Sequence, residues 1–199
     1  MDAKQDVRSA FYDLSSTYDS TGIDFFGQIA RELVARARLR EGSTILDVGC
    51  GTGVVFVAAS EVIGATGRLL GIDLAEGMVE RARQTARELT LDNVQVEVGD
   101  AEAPAVPPDS LDAILASLVL FFLPNIDAAL NAYARALVDG GTLAFSTFAG
   151  DDDWTPLDAL LESFMPPAPA AHAEAGSTIL PRFGRCSKGT ASTASRSTR

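Results

Sequence analysis

The sequence is poor in the residues that build metal centres, disulfide frameworks and membrane spans. It holds one histidine and two cysteines in 199 residues. Cys50 lies inside a glycine-rich turn and Cys186 near the end, too few and too far apart in context for a disulfide framework or a metal site. No metal is expected, and a reducing, cytoplasmic setting fits. No apolar run reaches about 18 residues, and a basic, apolar, small-residue leader is missing, so neither a membrane span nor a secretion signal is expected. Positive charge is also scarce: 16 Lys+Arg against 27 Asp+Glu leave a net charge of −11. Such a field repels phosphate backbones and anionic headgroups, and no basic patch in the body of the chain offsets it, so nucleic acid is not an expected partner.

What the chain does have is a stretch at Ile45 to Gly53, where a short apolar run breaks into glycines at every second position. An apolar, helix-compatible segment follows, so the pattern reads as a buried strand, a tight turn and a helix start. Glycine suits a turn against which a ligand must lie closely, and the helix behind it offers unpaired N–H groups. Asp47 puts a carboxylate at the carboxyl end of the strand, where ligands sit in open α/β sheets. The dinucleotide fingerprint Gly-x-Gly-x-x-Gly is not met, because Val54 stands where its third glycine would be. Asp-x-Gly-x-Gly-x-Gly instead resembles motif I of the class I methyltransferases that use S-adenosylmethionine.

The rest of the chain alternates helices and strands. Lys4 to about Tyr18 reads as a helix and loop, and Asp24 to Arg40 as a second helix ended by Glu41-Gly42. Their aromatics, Phe11, Tyr12, Tyr18, Phe25 and Phe26, fit either core packing or a lid over an acceptor pocket. Val54 to about Ile63 is a crossover helix whose stripe is Val54, Val57, Ala58 and Val62. Arg68 to Asp73 is a second strand, and Asp73 at its tip can accept both hydroxyls of a ribose, or else cap the helix that follows. That helix buries Met78, Val79, Ala82, Ala86 and Leu89; Met78 is a core residue or one wall of an adenine slot. Asn93 to Val98 is a third strand. Asp100 and Ala101 directly after it can read an exocyclic amine and a ring nitrogen, with Asp100 otherwise a plain turn residue. Leu111 to Ser117 is a fourth strand, Leu118 to Leu123 a loop or short turn before Pro124, and Ile126, Ala129, Leu130, Tyr133 and Leu137 the stripe of a helix stopped by Gly140-Gly141. Thr142 to Phe148 is strand five. The predicted fold is therefore α/β, a doubly wound, mostly parallel sheet with helices on both faces.

From about Tyr18 to Phe148 the order of signals resembles the small-molecule class I methyltransferases of the ubiquinone/menaquinone-biosynthesis type. Leu-Asp-Val-Gly-Cys-Gly-Thr-Gly, Gly-Ile-Asp-Leu-Ala-Glu-Gly-Met and Gly-Asp-Ala-Glu-Ala-Pro are similar to the family's first three motifs, and Asp112 to Leu123 with Asp139-Gly-Gly-Thr-Leu to its fourth strand and the turn before its fifth. The resemblance implies a Rossmann-like domain that binds S-adenosylmethionine and releases S-adenosylhomocysteine. It implies that Asp47, Gly49, Cys50 and Gly51 hold the methionine moiety, Asp73 and Leu74 the ribose, Met78 and Ala101 the adenine faces and Asp100 its amine. Ser117 and Leu118 would border the methyl, with Tyr18 closing over the carboxylate. The chain departs from the family where Phe121-Phe122 replaces histidines after strand four. The family's sheet is completed by a further helix and an antiparallel hairpin; Asp151 to Phe164 can supply the helix, but Pro166 to Pro169 breaks the chain, and the hairpin is expected to be missing or degenerate, as in a truncated or frame-shifted end.

Three regions are expected: residues 1–42 as a helical lid, 43–165 as the α/β domain, and 166–199 as an irregular, mobile tail without acidic residues from Arg182 on. Methyl transfer from a sulfonium needs an in-line nucleophile about 3 Å away and little else, so positioning can suffice. Tyr12, Tyr18 and His172 are the candidates for a polarising or basic group, and the acceptor is expected to be small and partly apolar, in a natural-product type of methylation. A homodimer is compatible with the sequence. The alternatives are a catalytically silent module that binds S-adenosylmethionine and an NAD-dependent oxidoreductase.

Overall fold

In a computed structural model, residues 3–14, 25–149 and 180–187 are described. Five strands run parallel in the order β3-β2-β1-β4-β5: β1 (Thr44–Val48), β2 (Arg68–Asp73), β3 (Val94–Val98), β4 (Leu111–Ser117) and β5 (Leu137–Ala149). The helices are α1 (Ala3–Leu14), α2 (Phe25–Ala37), α3 (Val54–Ile63), α4 (Glu76–Glu88) and α5 (Ile126–Ala136). Central strands of such a sheet are covered on both faces, which is why β1 and β4 read as near-continuous apolar runs. Ile45 faces the layer of α2, α3 and α4, packing with Leu33, Phe56 and Val79, while Leu46 faces Tyr133 and Ala129 of α5.

The doubly wound sheet agrees with the expectation, and the differences lie at its margins. α2 is less a lid than part of the core, since Ala30 and Leu33 are completely buried against α3 and the sheet. It stops at Ala37, where Arg38 takes a positive φ of 56°, short of the expected Arg40. In α3 the expected stripe is rotated: Val57 and Val62 are exposed, and Val55, Phe56, Ala59 and Ile63 are buried. α5 ends at Ala136, one turn before the glycine pair, because Leu137 pairs with Leu111 and opens β5 ahead of an irregularity in register. The backbone N–H groups of Asp109 and Ser110 satisfy the last carbonyls of α5, Arg135 and Ala136, at 2.9 Å each. Asn125 caps its start, its Oδ1 accepting the Ala128 N–H at 3.0 Å.

The largest departure is β6 (Leu180–Ser187), which lies within the stretch expected to be irregular and pairs antiparallel with β5 from Thr142↔Ser187 to Ala149↔Leu180. A strand low in apolar residues is still favoured there, because β5 would otherwise present an unpaired edge and backbone pairing does not depend on side chains. Residues 166–179 and 188–199 lie outside the described residues.

Candidate active site

β1 and β4 are neighbours whose connections leave in opposite directions along the sheet, so a crevice opens beyond their carboxyl ends. Its empty volume, mouth included, is ≈ 1120 Å³. The glycine turn after β1 forms one lip. Gly49 and Gly51 have φ of 62° and 54°. A Cβ on Gly49 would overlap the Val119 side chain, whereas one on Gly51 would meet nothing within 4 Å, so space is the constraint at the first and backbone conformation at the second. Cys50 N–H donates to Ile72 O at 2.9 Å, and Thr85 Oγ1 donates to Thr52 O at 2.8 Å, which ties the turn to β2 and α4.

Asp73 locks this turn from the tip of β2. Its Oδ2 accepts the Gly51 N–H at 3.0 Å and its Oδ1 the Ala75 N–H at 2.9 Å. Each oxygen keeps a second acceptor site, so the carboxylate can still receive a pair of hydroxyls. Burial pushes its pKa up, and the N–H groups of Ala75, Gly51 and Leu74 pull it back. The helix-capping alternative is partly realised, since Asp73 takes the Ala75 N–H while α4 itself begins at Glu76.

Asp47 sits differently. It is fully buried beneath the turn, neither of its oxygens has a hydrogen-bond partner, and it does not line the cleft. Burial, then the charge of Asp73, raises its pKa well above the usual carboxylate range. The same burial, with Asp47 and Asp73 beside it, raises that of the Cys50 thiol.

Past the carboxyl end of β3, Asp100 Oδ1 accepts the Glu102 N–H at 2.9 Å and so closes the turn after that strand. Its Oδ2 receives Lys4 Nζ at 2.7 Å from α1. Lys4 also pairs with Glu102, which in turn accepts the Asn125 N–H, so one ammonium links α1, the turn after β3 and the start of α5. The hydrogen bonds to Asp100 and then Glu102 raise the Lys4 pKa.

The second lip follows β4, through Ser117, Leu118 and Val119, and the cleft continues to Phe122, Leu123 and Pro124 in and after a 3-10 turn, Leu120–Phe122. Phe122 stands edge-on to Phe11 of α1, ring centroids 5.5 Å apart at 87°, and 4.4 Å from Phe121. Phe26 of α2 adds to this wall.

Ten of the twelve residues expected to bind the cofactor therefore line one cleft. Asp47 lies beneath it and Tyr18 outside the described residues, as does His172; Tyr12 is described but 57% exposed and off the cleft. Sequence reasoning missed Lys4, whose partner Asp100 lies 96 positions away, and the wall of Val119, Leu123 and Pro124. Phe11 and Phe26 carried the only signal for that wall, as aromatics that fit a lid. Among the described residues, no cluster of three or more His, Cys, Asp or Glu side chains is placed to hold a metal ion, and no helix is long and apolar enough to cross a membrane.

Residues 39–187 match a methyltransferase domain family. The chain belongs to that family. This methyltransferase domain is 42% identical over 144 residues to the aklanonic acid methyltransferase DauC of Streptomyces sp. (strain C5), a match covering 72% of the chain and 66% of the relative. It is 39% identical over 133 residues to the nocamycin O-methyltransferase of Saccharothrix syringae, covering 67% of the chain and 48% of that relative. The chain thus spans between about half and two-thirds of the length of the curated relatives it matches. Among solved structures it is similar to the [4+2]-cyclase SpnF, with a TM-score of 0.58 and 27% identity over 69% of this chain and 56% of that one.

Proposed function

We propose that this methyltransferase domain transfers a methyl group from S-adenosylmethionine to a small, partly apolar acceptor, chiefly by positioning the two reactants. The observation that carries the reading is the Asp73 carboxylate, held by the Gly51 and Ala75 N–H groups at the floor of a switch-point cleft and still able to accept hydroxyls. The donor set fits that cofactor: a ribose-ready carboxylate, an open cradle at Gly51, and the buried, unpartnered Asp47 carboxyl below it, whose ionised form a nearby cationic ligand would favour. Gly49, Cys50 and Gly51 would hold the methionine end, Asp73 and Leu74 the ribose, Met78 and Ala101 the adenine faces, Asp100 the exocyclic amine, and Ser117 with Leu118 the methyl end, with Tyr18 over the carboxylate. When bound, S-adenosylmethionine supplies a methyl group already activated by its sulfonium.

The chain's own residues then have two tasks. The wall of Phe11, Phe26, Val119, Phe122 and Leu123 excludes water and holds the acceptor by its apolar surface. The backbone around Ser117 to Val119 fixes the distance between acceptor and donor, so proximity rather than a dedicated base lowers the barrier. Residues 1–42 contribute α1 as a lid, 43–165 the binding domain, and 166–199 an end that reaches the sheet edge through β6. The acidic surface favours small molecules over nucleic acids, a cytoplasmic setting fits, and a homodimer is compatible.

The names of the relatives, an aklanonic acid and a nocamycin methyltransferase, make natural-product scaffolds the first acceptors to try. The test is transfer of a labelled methyl group from S-adenosylmethionine to such a panel. Labelled product is expected with at least one scaffold; binding of the donor with no transfer to any would favour the second reading. That reading, a binding module or a non-methylating enzyme on the same fold, is supported by the likeness to a [4+2]-cyclase.

A further inference from the structure

Leu118 is one of four non-glycine residues with positive φ among the described residues, at 55°. Arg38 and Thr90 follow the ends of α2 and α4, where a left-handed residue commonly ends a helix, and Asp109 sits in the turn before β4, where an Asp tolerates that conformation. Leu118 is different: it leaves the carboxyl end of β4 directly into the cleft, in a conformation that a leucine side chain disfavours and a glycine would take freely. Strain at such a position persists only when the surroundings over-determine it.

Here Ser146 does so. It is completely buried on β5, in register with Ser117. Its hydroxyl Oγ accepts the Leu118 N–H at 3.0 Å, its carbonyl accepts the same N–H at 3.2 Å, and its Oγ lies 3.5 Å from Ser117 Oγ. The next residue, Val119, packs so closely on the glycine turn that no Cβ fits on Gly49. Conformation at Leu118 thus sets where Val119 stands against Gly49, and with it the gap between the two lips of the cleft.

We infer that Ser146 is a positioning residue: it pegs Leu118 in its left-handed conformation and so fixes the spacing between the β4 lip and the glycine turn at the methyl end of the donor site. The inference rests on the methyl-donor reading above for its ligand, and on the geometry alone for the peg.

The test is a double-mutant cycle of Ser146→Ala and Leu118→Gly in the full chain, read by thermal midpoint and by calorimetric titration with S-adenosylhomocysteine. Glycine needs no peg to hold a positive φ, so the loss of midpoint caused by Ser146→Ala is expected to fall to half or less in the Leu118→Gly background. Equal losses in both backgrounds would overturn the peg. In the binding arm, Ser146→Ala is expected to weaken S-adenosylhomocysteine about fivefold or more, and Leu118→Gly to recover most of that loss in the double variant. An unchanged affinity in Ser146→Ala would overturn its role in the site. If the wild-type chain takes no S-adenosylhomocysteine, it is the donor reading that fails, and the midpoint cycle alone then decides the peg.

Discussion

The two halves of the cleft are built from opposite materials. Beneath β1, β2 and β3 it is polar and already wired: the oxygens of Asp73 and Asp100 are engaged by Gly51, Ala75, Glu102 and Lys4. Beyond β4 it is apolar, walled by Val119, Phe122, Leu123 and, from the two N-terminal helices, Phe11 and Phe26. Fixed donors and acceptors suit a ligand of invariant chemistry, because an unmatched buried polar group is costly. Apolar walls suit ligands that differ from one protein to the next, because such contacts are not directional.

The contrast breaks most visibly at Asp73. Asp73→Ala is expected to cost S-adenosylhomocysteine affinity about 1–3 kcal/mol by calorimetry, and the same affinity as wild type would remove Asp73 from the site. Asp47 tests the polar half from below. Its folded-state pKa is raised, by burial first and then by Asp73, so its contribution to stability is full below the unfolded pKa of about 3.9 and is lost as pH rises through the folded value. Asp47→Asn is therefore expected to flatten the decline of stability with rising pH above that point, measured by denaturant midpoints from pH 4 upward; parallel curves for the two proteins would contradict it. On the apolar side, Phe122→Ala removes the ring contacts to Phe11 and Phe121 and is expected to lower stability by about 1–3 kcal/mol while leaving S-adenosylhomocysteine affinity nearly unchanged. A large affinity loss there would mean that the halves are not separate. The smallest effect is expected from Lys4→Met. This part-exposed pair is worth under about 1 kcal/mol, so the variant should change S-adenosylhomocysteine affinity by less than about fivefold and remove much of its salt dependence.

The same contrast explains what could be read from the chain beforehand. The polar half is encoded locally: Asp47 to Gly53, Asp73 to Met78 and Gly99 to Ala101 are each a strand end and its turn, so short motifs expose ten lining residues at once. The apolar wall is assembled from distant segments, and nothing near Phe11 announces Phe122. Periodicity failed where a single charge marks the outer face, as in α3, whose exposed Val57 and Val62 lie beside Glu61 and are chemically indistinguishable from its buried Val55. It succeeded in α4, whose charged face leaves Met78, Val79, Ala82 and Ala86 a single side to bury, except at Leu89, which caps the helix end and is exposed. β6 escaped notice because its pairing is a matter of backbone, and a sequence rich in Ser, Arg and Gly carries no apolar alternation to reveal it.

Whether the polar half is a site for S-adenosylmethionine is decided by calorimetric titration with S-adenosylhomocysteine, with NADH on the same sample as the control. Micromolar binding of S-adenosylhomocysteine, roughly −8 kcal/mol, with no heat from NADH is the predicted result. Binding of NADH instead, or of neither ligand by a folded sample, would contradict it.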